Sequence, residues 1–172
     1  INKKIIAVFR NDMEFGSRAL GNTSIICDPR LLDAKKIINS KVKLREKFRP
    51  FAPSILEKEV NKWFEGSVNS PYMSFVLKFK KDKRKLVPAV CHVDDTGRLQ
   101  TLTKNFNEPF YDLIKKFEKK TNIPILLNTS FNKNEPIVES QKSAIETFRR
   151  TSIDFLNIDD YLISKWRMKK YL

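Results

Sequence analysis

An arginine between two glycines is the first feature of the sequence that could bind a ligand. Gly16 and Gly21 flank Arg18, and they are two of the four glycines in the chain. Glycine lets the backbone take positive φ or approach a bulky group closely, and a guanidinium can hold a phosphate or carboxylate through paired hydrogen bonds. A tight turn with a surface arginine has the same pattern, so this spacing alone has low specificity.

A basic loop follows, in which cations alternate with other residues. It contains Lys43, Arg45, Lys47 and Arg49, and the prolines of segment 50–53 force the residues before them out of the helical region. A stiff segment loses little freedom on binding, which suits a loop that holds phosphate groups. A solvated basic loop is the alternative interpretation, and the spacing favours neither.

The single histidine opens a third polar stretch. His92 lies near Asp94 and could transfer a proton or orient a ligand, although a lone histidine is more often structural. Asp94 and Asp95 could meet Mg²⁺ carried by a nucleotide. Arg98 is a further candidate for a phosphate contact.

Amide and hydroxyl side chains form a fourth stretch, directly after an apolar segment predicted to be a buried strand. Asn128, Thr129, Ser130 and Asn132 stand here, and ligands of open α/β sheets lie beyond the carboxyl ends of strands. An Asx or Ser/Thr turn is the alternative. No Walker loop, G-x-G-x-x-G or readable Ser-His-Asp arrangement is present, so these stretches indicate a polyanion ligand without naming a reaction.

The charge of the chain agrees with an anionic partner. Lys and Arg number 34 and Asp and Glu number 20, so 34 − 20 gives +14. A hydrophobic content of 41% excludes wholesale disorder, and no apolar run reaches the roughly 20 residues of a membrane helix. Cys27 and Cys91 belong to no metal-binding motif, which predicts free thiols, no metal site and a reducing, cytoplasmic location.

The elements that must position these residues form an α/β pattern, and we predict one domain over residues 1–172. Residues 54–64 have a strong helix signal, with apolar residues at helical spacing and a capping box from Ser54 and Glu57. The basic segments 78–85 and 165–170 are predicted to be solvated surface. The other predicted helices are 31–42, 110–117 and 143–150, and the predicted strands are 5–9, 24–27, 72–79, 86–93, 99–103, 123–127, 153–158 and 161–163.

These stretches occur together, in the same order, in one known family. The chain resembles the C-terminal domain of the O-carbamoyltransferases, the nodulation-protein and antibiotic-tailoring group. The matching blocks include the E-F-G-S-R-A-L-G-N, F-R-P-F-A-P-S and L-L-N-T-S-F-N sequences. They lie within residues 13–25, 42–54, 70–73, 92–101 and 124–138. The loop at 133–138 departs from the family pattern, since it is one residue shorter and lacks the family's glycine.

The resemblance implies a YrdC-like fold, a twisted open mixed sheet flanked by helices. It also implies a transferase that forms carbamoyl adenylate from carbamoyl phosphate and ATP, with Mg²⁺ accompanying the nucleotide. Catalytic roles would fall on Lys43, Arg49 and Arg98. Binding of carbamoyl phosphate and ATP would fall on Arg18, Asn128 and Ser130, and His92 is a further candidate contact.

The resemblance also implies a partner. Family members carry an N-terminal actin/hexokinase-like domain that transfers the carbamoyl group to a hydroxyl, so we expect this chain, which opens at Ile1, to be cut from a longer protein. Alone it would perform only the adenylate-forming half-reaction. A homodimer is compatible with these features. A nucleic-acid-binding module and an inactive structural partner domain are the less favoured alternatives.

Overall fold

The computed structural model describes residues 4–10 and 13–165. In this part of the chain the strands are β1 Ile6–Phe9, β2 Thr23–Cys27, β3 Ala52–Leu56, β4 Phe75–Lys78, β5 Thr96–Leu102, β6 Ile125–Ser130, β7 Phe155–Ile158 and β8 Tyr161–Ser164. The α-helices are α1 Ala34–Ile37, α2 Val60–Trp63, α3 Glu108–Thr121 and α4 Gln141–Arg150. A π-helix, Ile38–Lys43, continues α1, and short 3₁₀ helices occupy Glu57–Glu59 and Arg84–Leu86.

The strands form one open mixed sheet in the order β4-β5-β3-β6-β2-β1-β7-β8. The pairs β1/β7 and β3/β5 are parallel, and the other neighbours are antiparallel. Because β6 lies between β3 and β2, this one strand joins the two halves of the sheet. The arrangement agrees with the mixed open sheet flanked by helices that the sequence predicts.

The central strands of the sheet are buried on both faces, and the alternation of side chains along each of them explains why. On β6, Ile125 and Leu127 belong to the larger core cluster, whereas Leu126 packs in a second cluster with Phe110 and Ile114 of α3. Successive residues of a strand point to opposite faces. A sheet covered on both faces therefore needs apolar residues at consecutive positions.

This two-sided burial explains why one strand has the sequence pattern of a helix. The helix predicted at 54–64 is wrong at its start and correct further on: Ser54 lies within β3, whereas the 3₁₀ turn Glu57–Glu59 and the short α2 follow it. The Ser54 hydroxyl donates to Gln100 Oε1 at 2.5 Å instead of capping a helix. Ile55 and Leu56 point to opposite faces of the sheet and pack in different core clusters, so both must be apolar. The segment therefore lacks the alternation of apolar and polar residues that would reveal a strand.

Two other predicted elements differ from the structure. The strand predicted at 86–93 is wrong, because this segment forms a 3₁₀ helix and turns with Val87 buried. The helix predicted at 31–42 is an α-helix of one turn that widens into a π-helix. The basic segment 78–85, predicted to be solvated surface, forms a turn and a short 3₁₀ helix after β4, and its cations are exposed or half-buried. The second basic segment, 165–170, lies outside the described residues beyond position 165.

The cysteines are free, as predicted. Burial raises the pKa of the Cys27 thiol to about 12, so it is a poor nucleophile at neutral pH. Within residues 4–10 and 13–165, no helix has both the length and the apolar character needed to cross a membrane.

Candidate functional site

A cavity of about 100 Å³ lies at the end of the sheet where β6 finishes and β3 and β5 begin. Its polar lining combines three arginines with the side chains at the end of β6: Arg18, Arg45, Arg98, Asn128, Thr129 and Ser130. No carboxylate is among the described residues that line it. A larger groove of about 380 Å³, lined largely by aliphatic residues such as Ile5 and Leu31, lies near the opposite end of β2. The arginine-lined cavity has the composition of an anion site.

Two of the arginines reach the cavity without a counter-ion. Among the described residues, the side chains of Arg18 and Arg98 have no ion pair or hydrogen-bond partner. Burial lowers the pKa of Arg98, and the neighbouring charge of Arg18 lowers it further. Like charges held together in a half-buried site are stabilised when an anion binds between them.

The third arginine, Arg45, is oriented by a buried asparagine. Its Nε donates to Asn39 Oδ1 at 2.8 Å, and its guanidinium lies 5.1 Å from the centroid of the Phe51 ring. Asn39 stands on the π-helix and is fully buried. Its Nδ2 donates to the carbonyls of Lys47 at 3.3 Å and Arg49 at 2.9 Å. This one side chain therefore organises the whole basic loop, and π-helices of this kind are frequent at functional sites.

Arg49, one of the residues predicted to be catalytic, lies elsewhere on the same loop. It is exposed, its Nε pairs with Glu46 at 2.8 Å, and it does not line the cavity. The sequence does not distinguish Arg45 from Arg49, because an alternating loop leaves open which cations face inward. The hydrogen bond to the buried Asn39 directs Arg45 toward the cavity. Nothing in the sequence around Asn39 reveals this role.

Lys43 lies behind the cavity instead of in its wall. It is 2% exposed, and its Nζ donates to Ser130 Oγ at 3.1 Å, to Asn132 Oδ1 at 2.6 Å and to the Ser130 carbonyl at 2.5 Å. Burial lowers the pKa of this amine to about 7, and the charge of Arg45 contributes in the same direction. The lysine thus reaches the cavity through Ser130, whose hydroxyl it helps to orient.

A buried network of amides forms the floor of the cavity. Asn128 Nδ2 donates to Gln100 Oε1 at 2.9 Å and to the Ala19 carbonyl at 3.1 Å. Gln100 Nε2 in turn donates to the Leu20 carbonyl at 2.9 Å. Asn128 Oδ1 is buried and has no hydrogen-bond partner in the described part of the chain. Buried polar atoms are nearly always paired, so this oxygen points to a donor supplied from outside the chain.

The loop that carries Arg18 is held by one acidic residue. Glu14 Oε1 accepts from the backbone N–H groups of Leu20 and Asn22, each at 2.7 Å, and the Glu14 carboxylate also accepts from Thr23 N–H and Oγ1. Gly21 completes the loop with φ +123°, where a Cβ would lie 2.5 Å from Phe110 Cδ1. In the E-F-G-S-R-A-L-G-N sequence, Glu14 thus anchors the backbone of the loop and Gly21 allows it to pack closely against Phe110. Together they fix the loop that carries Arg18.

Replacing Glu14 with glutamine should loosen this loop. The side-chain amide would turn one acceptor into a donor facing backbone N–H groups, so we expect a loss of about 1–3 kcal/mol in the free energy of unfolding. Sulfate affinity should fall with it, because Arg18 loses its fixed position. Urea denaturation and calorimetric titration measure the two effects. Glu57→Gln, a change outside the loop, is the matched control, and equal behaviour of both variants would contradict the anchoring role.

His92, a predicted substrate contact, does not line the cavity. Its Nδ1 lies 3.1 Å from Thr96 Oγ1, and Asp94 accepts from that same threonine at 2.7 Å. Asp95 pairs with Arg84. Burial lowers the pKa of His92. Among the described residues no cluster of three or more His, Cys, Asp or Glu side chains could hold a metal ion. This stretch therefore forms a hydrogen-bonded turn before β5.

The shortened loop after β6 closes without its glycine. Asn132 Nδ2 donates to the Glu135 carbonyl at 2.6 Å, and Val138 N–H donates to the Phe131 carbonyl at 3.0 Å. Phe131 and Val138 are both buried. The loop is thus fixed at both ends, and it keeps Asn132 in contact with Lys43.

The fold and the site define an α/β domain with an arginine-lined cavity at the end of a mixed open sheet. Residues 1–165 match the family model described as Carbamoyltransferase C-terminus, and the chain belongs to that family. It is 48% identical to nodulation protein NolNO of Sinorhizobium fredii over 165 residues, which are 94% of this chain and 24% of that protein.

Two further relatives give the same picture. The chain is 46% identical to nodulation protein NolO of Bradyrhizobium diazoefficiens, covering 95% of this chain and 31% of that protein. It is 43% identical to the uncharacterized protein MJ1051 of Methanocaldococcus jannaschii, covering 96% of this chain and 32% of that protein. The chain therefore spans about a quarter to a third of the length of these curated relatives.

A solved structure confirms the predicted fold class. Full-length HypF, crystallised in its phosphate- and nucleotide-bound form, superposes with a TM-score of 0.51 over 86% of this chain and 18% of that chain. The sequence identity is 18%, so the likeness is one of fold. The chain has the YrdC-like α/β fold predicted from the sequence.

Proposed function

We propose that this chain forms carbamoyl adenylate from carbamoyl phosphate and ATP, as the first half-reaction of O-carbamoyl transfer to a hydroxyl group. The observation that carries the proposal is the pairing of two features in one cavity. Arg18, Arg45 and Arg98 offer charge to a phosphate, and Asn128 Oδ1 offers an unpaired acceptor to a carbamoyl N–H. Membership of the carbamoyltransferase C-terminus family supports the same substrate class.

The size of the cavity indicates that the two proposed substrates, carbamoyl phosphate and ATP, would occupy it to different extents. Sites for drug-sized ligands enclose roughly 300–1,000 Å³, whereas this cavity encloses about 100 Å³. A compact acyl phosphate fits that space, and a whole nucleotide does not. ATP would therefore reach the site with its phosphates and keep its nucleoside outside the cavity.

The chemistry needs charge neutralisation and alignment more than a nucleophilic side chain. Hydrolysis of carbamoyl phosphate gives carbamate and phosphate. A carbamate oxygen then attacks the α-phosphorus of ATP, forming the new P–O bond as the bond to pyrophosphate breaks. Several negative charges meet in these steps, and fixed guanidinium groups stabilise the charge that develops. Asn128 and Ser130 would hold the carbamoyl group in line with the phosphorus.

The expected Mg²⁺ has no ligand set in this cavity. Its described lining contains no carboxylate, and protein-bound Mg²⁺ is usually held by one or two carboxylates together with phosphates and water. The residues here do not fit the ion on their own. We assign them no step that uses it.

The acceptor step is proposed for another part of a longer protein. The curated relatives are three to four times the length of this chain, which leaves room for the N-terminal actin/hexokinase-like domain that the family resemblance implies. In that arrangement carbamoyl adenylate would pass to the second domain, and this chain alone would not carbamoylate a hydroxyl compound.

Release of pyrophosphate tests the proposal. We expect the chain, given ATP, Mg²⁺ and carbamoyl phosphate, to release pyrophosphate at a rate that depends on both substrates. Inorganic phosphate in place of carbamoyl phosphate is the control and should give none. A folded chain that stays inert, both alone and within the longer protein, would contradict the proposal and favour a purely structural role.

A further inference from the structure

We infer that Gln100 determines which atom of the Asn128 amide is offered to the ligand, and that it thereby makes the site selective for acyl phosphates that carry an N–H group. The inference rests on the proposed function, because it concerns the same cavity. Gln100 is fully buried on β5 and does not line the cavity, so it is a positioning residue and not a catalytic one.

The orientation of the network follows from the backbone. The Leu20 carbonyl can only accept a hydrogen bond, so Gln100 must turn its Nε2 toward it, at 2.9 Å. Its Oε1 is then directed at Asn128, which must present Nδ2, at 2.9 Å. The Ala19 carbonyl, 3.1 Å from the same Nδ2, requires the same orientation. Rotating the Gln100 amide by 180° would place its Oε1 against the Leu20 carbonyl oxygen, and rotating the Asn128 amide would place its Oδ1 against the Ala19 carbonyl oxygen. Each rotation would bring two hydrogen-bond acceptors together.

The consequence is a buried oxygen that needs a donor. With Nδ2 committed to two acceptors, Asn128 Oδ1 is left without a partner in the described part of the chain. Carbamoyl phosphate presents an NH₂ group, whereas acetyl phosphate presents a methyl group of similar size at the same position. A site built to pair with an N–H rejects an analogue that lacks it, because the buried acceptor stays unpaired.

The arginines do not provide this selectivity. Arg18, Arg45 and Arg98 would recognise the phosphate group, which both acyl phosphates share. Removing Gln100 should therefore change discrimination between acyl groups while leaving affinity for a simple anion unaltered. Loss of the fold would instead weaken binding of every anion.

Calorimetric titration of the 172-residue chain with carbamoyl phosphate, acetyl phosphate and inorganic phosphate tests the inference. The unmodified chain should bind carbamoyl phosphate roughly 10- to 100-fold more tightly than acetyl phosphate. In Gln100→Leu the preference should fall by about three- to tenfold, with phosphate affinity retained, because only the Ala19 carbonyl then holds Asn128 Nδ2 and the orientation of the amide is fixed less firmly. Ser54→Ala, which removes the other donor to Gln100 Oε1, is the matched control and should keep the preference.

Each remaining outcome has a defined meaning. Equal binding of the two acyl phosphates by the unmodified chain would overturn the inference, as would an unchanged preference in Gln100→Leu. Should Gln100→Leu fail to fold, Gln100→Met, of closer shape, replaces it, and the comparison in the unmodified chain still decides selectivity. Selective binding without pyrophosphate release would remove the proposed adenylate formation and leave this inference standing.

Discussion

Arg45→Ala is expected to lower kcat/KM for pyrophosphate formation by about 100-fold or more, whereas Arg49→Ala should change it by less than about threefold. The two arginines share one loop, but only Arg45 lines the cavity. Arg49 faces solvent and pairs with Glu46, and exposed pairs of this kind contribute at most about 1 kcal/mol to stability.

Three variants make the comparison sharp. Arg45→Lys keeps the charge but loses the planar pair of donors, so it should recover only part of the activity. Thermal unfolding checks that Arg45→Ala keeps its fold after losing the contact with Phe51. A large loss in Arg49→Ala, with Arg45→Ala nearly normal, would reverse the assignment and return Arg49 to the catalytic role predicted from the sequence.

Lys43→Met is expected to show that one amine affects stability and anion binding with opposite dependence on pH. The pKa of Lys43 in the folded chain is about 7, below its ordinary value of 10.5. Below pH 7 the amine is charged in both the folded and the unfolded chain. Above pH 7 only the unfolded chain keeps the proton, so the contribution of Lys43 to stability rises with pH, by up to about 1.4 kcal/mol per unit.

Anion affinity should move the other way. As the Lys43 amine loses its charge above pH 7, sulfate, whose own charge is constant in this range, should bind more weakly to the unmodified chain. Lys43→Met should bind sulfate weakly at every pH. Urea denaturation and calorimetry of both proteins between pH 6 and 9 measure the differences. If the difference in unfolding free energy is the same at all these pH values, the amine does not titrate near 7.

The Lys43→Met variant also loses hydrogen bonds, and this loss opposes the gain from removing a buried amine that must give up its proton on folding. A methionine side chain offers no donor to the Ser130 carbonyl, which Lys43 now satisfies, and an unpaired buried acceptor costs about 1–3 kcal/mol. Asn132 Oδ1 is less affected, because Ser130 Oγ also donates to it at 2.7 Å. The hydrogen-bond loss should therefore amount to about one unpaired group, and it should count most at pH 9, where the ionisation cost of Lys43 is smallest within the measured range.

Part of the site could be predicted because its residues follow strand and turn signals. Asn128 and Ser130 stand at the end of an apolar strand, and Arg18 lies between two glycines. The structure brings these three residues and Arg98 to one cavity. Their roles toward a ligand remain predictions.

The supporting residues could not be found in the same way. Asn39, Gln100 and Glu14 act through hydrogen bonds whose polarity depends on distant backbone groups; Gln100, for example, meets Leu20 across 80 positions of the chain. The strand at Ala52–Leu56 is hidden from sequence reasoning for a related reason, since burial on both faces removes the alternation that would reveal it. In each case the information lies in tertiary contacts and not in local spacing.

The central place of β6 also bears on how the molecule assembles. The β4-β5-β3 half of the sheet is complete by Leu102, and β1 and β2 can pair early. Until Ile125–Ser130 is inserted, however, β3 and β2 each present an unpaired edge. Pairings between distant segments form slowly, and open edges invite association with other chains. During synthesis, the arrival of this one strand would both join the two halves of the sheet and complete the wall of the cavity, so a chain that ends before it would be prone to aggregation and would lack the cavity.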